Sequence, residues 1–461
     1  MRKVYRSILA LVLSLVMVLG MIAISAAMQP EFYDVWVGGI QVSSANADDV
    51  LGDGTVCYDA ARKTLTLKNA NIKCGVESLR TIYADGDLSI NLIGANSVLN
   101  VDASDGLDAI YVYGDLEINA ASPDASLTVI SSFGCGIGAE AVTINGGKVH
   151  ASSNDIQLHT DPGSSCEIPV GEGISAVTTV TITGGEVTAE GNNGGICATG
   201  GIIVTGGTTK ATGGVVGIAS AGDVIISDSE VTVSGGENGL YTDTAIIIDN
   251  STVKAYGETL HGIVAPSISI SDATVETEGY LTGIFAFDDN CSVVISNSTV
   301  TAKASDVEGT AIDAIFGTLT IEDNAKVIAG CREGLCADKI NILKNSTVEI
   351  DAAQNAIYFC DELNFGNNWY KWSIDGGKSF KDSSEMPLKV EEASETRTLL
   401  IEPNGKYPTI SKPTNIHGVP SFGSAEQPLE SPKTFDGGIA LPISMAILAA
   451  TGGAWLAKKK D

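Results

Sequence analysis

The sequence predicts an all-β protein, a right-handed parallel β-helix (solenoid) of about 12–13 turns with a cap at each end. Three observations predict it. Apolar residues that precede a turn recur every 22 residues between Ile182 and Ile270. Two residues after most of these positions stands Gly, Asn or Asp, the types that tolerate a left-handed backbone. Gly is abundant, at 52 residues, and no segment of the repeat shows a helical period of useful length.

Each repeat is expected to contain about three short strands joined by tight turns. Three strands cannot close a core alone, so successive turns must stack, about 4.8 Å apart. The apolar anchors that define the register are Leu67, Ile90, Ile118, Ile144, Ile182, Val204, Ile226, Ile248, Ile270, Ile295, Ile321 and Leu343. The left-handed positions that follow them are Asn69, Gly146, Gly184, Gly206, Asp228, Asn250, Asp272, Asn297, Asp323 and Asn345.

The two ends of the chain predict export. Residues 1–27 read as a signal peptide, with Arg2, Lys3 and Arg6 before an apolar run and small residues at 25–27. Because that run is long enough to span a bilayer, an uncleaved anchor is the alternative. We expect an N-terminal cap at 28–66 with a hairpin at 58–67, repeats at 67–360, a C-terminal β cap at 361–402, a Pro-rich linker at 403–437 and a hydrophobic anchor tail at 438–461.

The end of the linker resembles a Gram-positive sortase signal. Pro432, Lys433 and Thr434 precede an apolar stretch and the basic residues 458–460. Phe435 stands where that signal has Gly, so a plain transmembrane anchor is the alternative to sortase cleavage. Lysines after the apolar stretch stay on the cytoplasmic side. Both readings place the protein on the surface of a Gram-positive bacterium, tethered to its membrane or cell wall.

The opening of the chain resembles secreted clostridial β-helix surface proteins. The resemblance rests on residues 36–42 (WVGGIQV), 49–56 (DVLGDGTV) and 58–67 (YDAARKTLTL). Those proteins are similar to β-helix proteins that bind cellulose and polygalacturonate, and more distantly to pectate lyases. The resemblance covers roughly residues 33–402. It implies a fold and an extracellular habitat, and it carries no ligand residues.

Charge and composition exclude some functions. The net charge is -29, so binding to a nucleic-acid backbone is excluded, because that requires clustered Lys and Arg. A lyase requires a base and cations for the uronate. Arg332 is the one arginine between 81 and 396, and Lys148, Lys210 and Lys254 are the only basic residues between Arg80 and Lys303. A glycosidase requires two carboxyl groups, but no motif selects a pair among the 56 acidic residues.

The histidines and cysteines give only weak indications of a metal site or of disulfides. The residues around His150, His159 and Cys166 match no zinc spacing and are expected in an exposed loop. Nine cysteines cannot all pair. Cys57 with Cys74, and Cys331 with Cys336, are the possible disulfides, and small buried thiols are the alternative.

Aromatic residues recur at one outward position, directly after the apolar residue of a Gly-Ile strand. Such residues can stack on the apolar faces of sugars. Tyr241 and Phe285 lie two turns apart, about 10 Å, which is near the two-residue repeat of a β-1,4 glycan. A one-residue register error or a covering loop would remove this surface. The candidate carbohydrate-binding residues are Tyr83, Tyr111, Tyr241, Phe285, Phe316 and Tyr358.

Two further features are candidates for binding. Asp85, Asp87 and Asp115 fall at equivalent places on neighbouring turns, and paired carboxylates suit Ca²⁺; turn-forming Asp without a metal is the alternative. An apolar column formed by Ile203, Ile225, Ile247 and Val294 is a partner surface if exposed and ordinary packing if covered.

Together these features predict a surface-tethered protein that binds a polysaccharide without catalysis. The ligand is expected to be a cellulose- or pectin-like polysaccharide or a host or cell-wall glycan, with Ca²⁺ bridging any acidic one. The alternatives are a carbohydrate-active enzyme, lyase or hydrolase, on the same fold, and a structural adhesin or spacer.

Overall fold

The structure is a computed structural model. It describes residues 29–74, 80–100, 107–154, 171–366, 370–383 and 386–404, residues 11 and 12, and the backbone of 158–160 and 167–169. The expected signal peptide, anchor tail and sortase-like motif lie outside these ranges, apart from residues 11 and 12. Within them, no helix combines the length and the apolar character that crossing a membrane requires.

The described chain is a parallel β-solenoid of about twelve turns, as predicted. Each turn contributes one strand segment to each of three faces. Face A carries the Gly-Ile strands, face B carries the anchors, and face C follows the left-handed turns. Along the middle of the solenoid, equivalent residues pair with a shift of 22, for example Ile196 with Ile218 and Ile202 with Val224.

The strands confined to face A are β6 (Ile82–Ala84), β15 (Ile174–Ala176), β18 (Gly194–Ala198), β21 (Val216–Ser220), β24 (Asn238–Thr242), β27 (His261–Val264) and β30 (Thr282–Phe285). Those of face B are β4 (Thr64–Lys68), β7 (Leu88–Ile93), β16 (Thr179–Ile182), β19 (Gly201–Val204), β22 (Val224–Ser227), β25 (Ala245–Asp249), β28 (Ser267–Ser271), β31 (Ser292–Ser296) and β36 (Glu362–Asn364).

The strands of face C are β5 (Asn71–Lys73), β8 (Ala95–Asn100), β10 (Ser126–Ser131), β12 (Lys148–Ser153), β17 (Glu186–Gly191), β20 (Thr208–Gly213), β23 (Glu230–Gly235), β26 (Thr252–Gly257), β29 (Thr274–Gly279) and β32 (Thr299–Ala304). Five strands continue around a corner: β9 (Ile110–Ala120), β11 (Ile137–Ile144), β33 (Thr310–Glu322), β34 (Lys326–Ile342) and β35 (Thr347–Tyr358). A separate antiparallel pair, β13 (Leu158–Thr160) and β14 (Glu167–Pro169), lies in the longest connection.

Antiparallel strands close both ends. At the N-terminal end are β1 (Phe32–Val37), β2 (Ile40–Ser43) and β3 (Val56–Asp59), and β3 forms the expected hairpin with β4. At the C-terminal end are β37 (Tyr370–Ser373), β38 (Lys381–Asp382), a short helix α1 (Val390–Ser394) and β39 (Thr398–Pro403), which pairs with β35. Parallel pairing runs from Thr64 to Asn364.

In-register columns of buried apolar residues fill the core, and most strands contribute to two of them, as Ile202 and Val204 do. On face A the inward residues run in register from Ile82 to Ile357, and both ends of the column are fully buried. The anchors of face B are likewise buried from Leu67 to Ile321. Two anchors are corrected. Leu65, not Leu67, pairs with Ile90. Ile342, not Leu343, pairs with Ile321 and points inward, because the left-handed residue two positions after it is a lysine, Lys344, and not Gly, Asn or Asp.

The left-handed turns are where the sequence places them, with one correction. Asn69, Asp228, Asn250, Asp272, Asn297, Asp323 and Asn345 all have a positive φ, between 43° and 68°. At residues 184–185 and 206–207 the positive φ belongs to the second glycine, Gly185 or Gly207, not to Gly184 or Gly206, whereas Gly146 and the glycine after it both have a positive φ. Side chains of stacked turns also bond: Asn250 Nδ2 donates to Asp228 Oδ1 at 2.6 Å.

Replacement of Asn250 tests this backbone requirement. Asn250→Val is expected to lower the free energy of unfolding by roughly 1 kcal/mol or more, because a β-branched side chain clashes in the left-handed region. Asn250→Gly is expected to be close to neutral, since it gives up only an exposed hydrogen bond. Chemical denaturation of both variants measures the difference, and equal losses would contradict the turn assignment.

Candidate functional site

The outward aromatic column of face A forms as one in-register row. Tyr83 pairs with Tyr111 on the next turn, and Tyr241 lies two turns from Phe285, with Val264 between them. Tyr358 follows Cys336 at the far end. Five of the six candidate carbohydrate-binding residues therefore share this column. The antiparallel pairing of β1 with β6 adds Trp36 beside Tyr83, which the repeat pattern could not show.

Phe316 does not belong to the column. Asp313 occupies its place, pairing with Phe285 on one side and with Cys336 on the other. The segment contains two Ala-Ile pairs three residues apart, and the first pair, not the second, is in register. Phe316 is 45% exposed, three residues beyond the column.

Four residues form an N-terminal aromatic cluster: Trp36, Tyr83, Tyr111 and Tyr113. The Tyr83 and Tyr111 rings are parallel, with centroids 6.5 Å apart, and Trp36 lies 5.3 Å from Tyr83. Tyr113 meets Tyr111 edge-on at 5.1 Å and is 59% exposed. The guanidinium of Arg80 lies 4.2 Å from the Tyr111 ring centroid, a cation–π distance. The cluster is partly open to solvent.

A central aromatic cluster contains Tyr241, His261, Phe285 and Phe287. Tyr241 is only 6% exposed: its ring stacks on Phe287 at 6.3 Å, and its hydroxyl donates to Asp243 Oδ1 at 2.7 Å. Burial and this carboxylate raise the pKa of Tyr241. The expectation that Tyr241 presents an open ring is therefore wrong, because Phe287, two residues beyond the column position, covers it. Phe285 and Phe287 remain partly exposed.

Small residues separate the two aromatic clusters. Between Tyr111 and Tyr241 the column holds Gly138, Ser175, Cys197 and Ala219. Five steps of about 4.8 Å give a low strip, here called the trough, about 24 Å long. A Cβ on Gly138 would lie 2.7 Å from Asp108 Oδ2. Glycine at this position leaves that carboxyl group next to the trough.

A second column, here called the strand-start column, runs beside the first. It holds the residue three positions before each aromatic-column residue, and four successive turns contribute Arg80, Asp108, Cys135 and Glu172. Backbone bonds from Ala109 N to Cys135 O and from Gly136 N to Glu172 O fix this order. Charged and thiol side chains are thus stacked about 4.8 Å apart along one edge of the trough.

Hydrogen bonds link Asp108, Cys135 and Glu172. The Cys135 backbone N–H donates to Asp108 Oδ1 at 2.7 Å, and its thiol donates to Glu172 Oε2 at 3.0 Å. Asn193 Nδ2 donates to Glu172 Oε1 at 2.8 Å. Burial raises the pKa of Asp108 to about 6, against the lowering effects of the Cys135 N–H bond and Arg80. Burial and Glu172 also raise the pKa of the Cys135 thiol, so the thiol stays protonated and donates.

The candidate calcium residues lie as the sequence predicts but have other partners. Leu88 pairs with Leu116, so Asp87 and Asp115 stand on neighbouring turns. Asp87 Oδ2 forms a 3.0 Å ion pair with Lys63, and its Oδ1 accepts from the Asp115 backbone N–H at 3.3 Å. The described residues contain no group of three or more His, Cys, Asp or Glu side chains suited to a metal ion. Asp85 is exposed.

The remaining sequence candidates have the following places. Ile203, Ile225 and Ile247 align on consecutive turns, Ser269 interrupts the row before Val294, and all four apolar residues are partly or well exposed. Cys57 is an exposed thiol and Cys331 is also a free thiol, so neither of the two possible disulfides is present. His150 stands on face C, and Cys166 lies outside the described residues.

Sequence reasoning missed the strand-start column. Its signal was present, because the residue two positions before each Ile of face A is polar or charged in many repeats. Tyr113 and Phe287 were missed because each lies two residues beyond a column position and only the folded strand shows that it packs back on the column.

Comparison with known proteins adds no relative. No protein-family model matches the chain, and neither the curated proteins nor the solved structures contain a match. The resemblance to clostridial surface proteins therefore stays a prediction, and any function must be argued from the site itself.

Asp108 predicts a pH-dependent stability. Its pKa is near 3.8 when unfolded and about 6 when folded, so between these values the folded state binds more protons. Stability then falls as pH rises from about 4 through about 6. Asp108→Asn, which can still accept from the Cys135 N–H, is expected to remove this fall and to gain up to about 3 kcal/mol at pH 8. Denaturation at pH 4.5 and pH 8 measures it; an unchanged pH slope would contradict the burial of the carboxyl group.

Proposed function

We propose that the protein binds a polysaccharide along face A, with the chain lying in the trough between the two aromatic clusters. The observation that carries this proposal is the in-register row of aromatic and small residues. Partly exposed rings stand at both ends of a low strip about 24 Å long. Rings of this kind pack on the apolar faces of sugars, and small residues between them leave room for a chain.

Charge favours a neutral glycan. The lysines of the middle turns pair with surface acids: Lys148 with Asp124 at 3.5 Å, Lys210 with Glu190 at 3.9 Å, and Lys254 with Glu276 at 3.7 Å. The net charge of -29 repels uronates. An acidic, pectin-like glycan would need Ca²⁺ between the charges. A cellulose-like chain needs no such bridge.

The proposed location is the surface of a Gram-positive cell. Its support is in the sequence: a signal peptide at 1–27, the sortase-like residues Pro432, Lys433 and Thr434, and the tail at 438–461. An exported, tethered solenoid would hold face A away from the cell. The adhesin and spacer readings share this location and differ in having no glycan ligand.

A glycoside hydrolase is the second candidate function. Asp108 and Glu172 border the trough and are bonded to the same residue, Cys135. Hydrolases use two carboxyl groups, one protonated and one ionised. Burial raises the pKa of Asp108 to about 6, and Glu172 accepts from the Cys135 thiol and from Asn193. A lyase is disfavoured, because Arg332 is already paired with Glu308 at 3.6 Å and donates to Gln354.

Replacement of Tyr83 and Tyr111 tests the binding surface. The full chain is screened on a glycan array, and the double variant Tyr83→Ala/Tyr111→Ala is expected to lose at least tenfold in affinity for the glycans found, because both stacking rings are removed. Phe316→Ala, an exposed aromatic outside the column, is the matched control and should bind normally. EDTA should spare neutral glycans and abolish binding of acidic ones.

Three results would count against this account. Wild-type-like binding by the double variant would exclude the N-terminal aromatic cluster as part of the surface. Absence of binding to every glycan would reject the proposed function. Release of reducing ends that disappears with Glu172→Gln would replace simple binding by the hydrolase reading.

A further inference from the structure

Two buried polar atoms on neighbouring turns have no hydrogen-bond partner among the described residues. They are Asn238 Oδ1 and His261 Nδ1. Asn238 and His261 pair directly in register and both belong to the strand-start column. Asn238 is 4% exposed. His261 is partly exposed as a residue, but its Nδ1 atom is buried, and burial lowers the pKa of the imidazole to about 4. The imidazole is therefore neutral at physiological pH.

The fold does not require polar side chains at these two positions. The preceding turn of the strand-start column holds Val216, which pairs with Asn238 and is itself buried. Buried polar groups are nearly always paired, because an unmade hydrogen bond destabilises the folded state. Two unsatisfied atoms side by side, where an apolar residue fits, indicate a requirement other than folding.

The two unsatisfied atoms lie on residues of the central aromatic cluster or next to it. The His261 imidazole stacks on the Phe285 ring, with centroids 4.6 Å apart and planes 22° apart. Phe285 in turn meets Phe287 at 6.4 Å. Asn238 begins the strand that carries Tyr241. A ligand that packs on Phe285 and Phe287 thus lies beside His261, and Asn238 is the in-register neighbour of His261 on the adjacent turn.

The chemistry of the two atoms selects the partner. An amide oxygen only accepts hydrogen bonds, while the nitrogen of a neutral imidazole either donates or accepts, depending on its tautomer. One hydroxyl group satisfies both, because it has one O–H and two lone pairs. Nearby carboxylates disfavour an anionic sugar: Asp243 accepts from Tyr241, and Asp288 also raises the pKa of Tyr241.

We propose that Asn238 and His261 together hold one hydroxyl group of a neutral polysaccharide whose apolar face packs on Phe285 and Phe287. This inference rests on the proposed polysaccharide binding and names a specific position within it. It assigns the residues that read a hydroxyl group, and it makes the ligand a neutral glycan. Binding closes the two unmade hydrogen bonds, so the free protein accepts a loss of stability that the ligand restores.

The test uses the full chain with cellohexaose, xylohexaose, mannohexaose and polygalacturonate as probes, measured by calorimetry. Asn238→Leu and His261→Phe replace each polar side chain by an apolar one of similar size. Each is expected to weaken binding of the neutral hexasaccharides at least tenfold while the melting temperature stays equal or rises. Asn355→Leu is the matched control from the same column, because Asn355, with its amide turned so that both side-chain atoms find partners, donates to Ser394 O at 3.0 Å. The Asn355→Leu variant should have a lower melting temperature and an unchanged affinity for the neutral hexasaccharides.

The outcomes separate this inference from the proposed function. Suppose that the wild type binds a neutral hexasaccharide and that the Tyr83/Tyr111 double variant does not. If the Asn238 and His261 variants then bind it as well as the wild type, the polysaccharide surface is supported and the hydroxyl site is rejected. A fall in melting temperature for both Asn238→Leu and His261→Phe would show that these side chains stabilise the fold, and would also reject the hydroxyl site. If the wild type binds only polygalacturonate, the neutral ligand is wrong. Absence of binding to all four probes would overturn both the surface and the site.

Discussion

The structure depends on one constraint, the in-register hydrogen bonding of each turn to the next. Parallel strands keep equivalent residues about 4.8 Å apart, and no turn can bury its apolar face without its neighbours. A residue type that recurs at one position of the sequence therefore becomes a continuous column in space. Inward columns of Ile and Val form the core, and outward columns form whatever surface the sequence specifies.

The same constraint explains how a uniform fold carries a local site. The inward position of face A hardly changes from Ile82 to Ile357, whereas the outward position changes from tyrosine to glycine and back to tyrosine. The change makes a trough without altering the backbone. The strand-start column adds charged groups at one edge of the trough and unpaired polar atoms farther along. In such a molecule the outward columns of stacked residues form the functional surface, and no special loop is needed.

The sequence predicts the periodic part of this molecule well. The 22-residue spacing and the Asn and Asp turns identify the fold, because the left-handed backbone restricts those positions strongly. Prediction is weaker where strands run around a corner. Asp313 and Ile342 stand at the column positions predicted for Phe316 and Leu343. In β33 two Ala-Ile pairs fit the pattern, and after Ile342 the left-handed position holds Lys344 and not Gly, Asn or Asp.

Which outward side chains are covered by their neighbours could not be predicted from the sequence. Nothing in a linear repeat indicates that Phe287 covers Tyr241, or that Cys135 joins Asp108 to Glu172 across three turns. These contacts join residues 27 to 46 positions apart, and each depends on side-chain directions that the repeat alone does not fix. The candidate site was therefore predicted as a column, and its trough, its polar edge and its closed aromatic centre came from the fold.

Removal of one complete turn tests the central claim, that register alone builds both the core and the surface. Deletion of residues 197–218 joins Ile196 to Ala219, which occupies the same column position as Cys197. The account predicts a folded solenoid, one turn shorter, that unfolds cooperatively in a thermal melt followed by circular dichroism. Deletion of residues 197–217 removes one residue fewer, reverses the inward and outward faces beyond the junction, and should not fold stably. Equal melting curves for the two deletions would contradict the account.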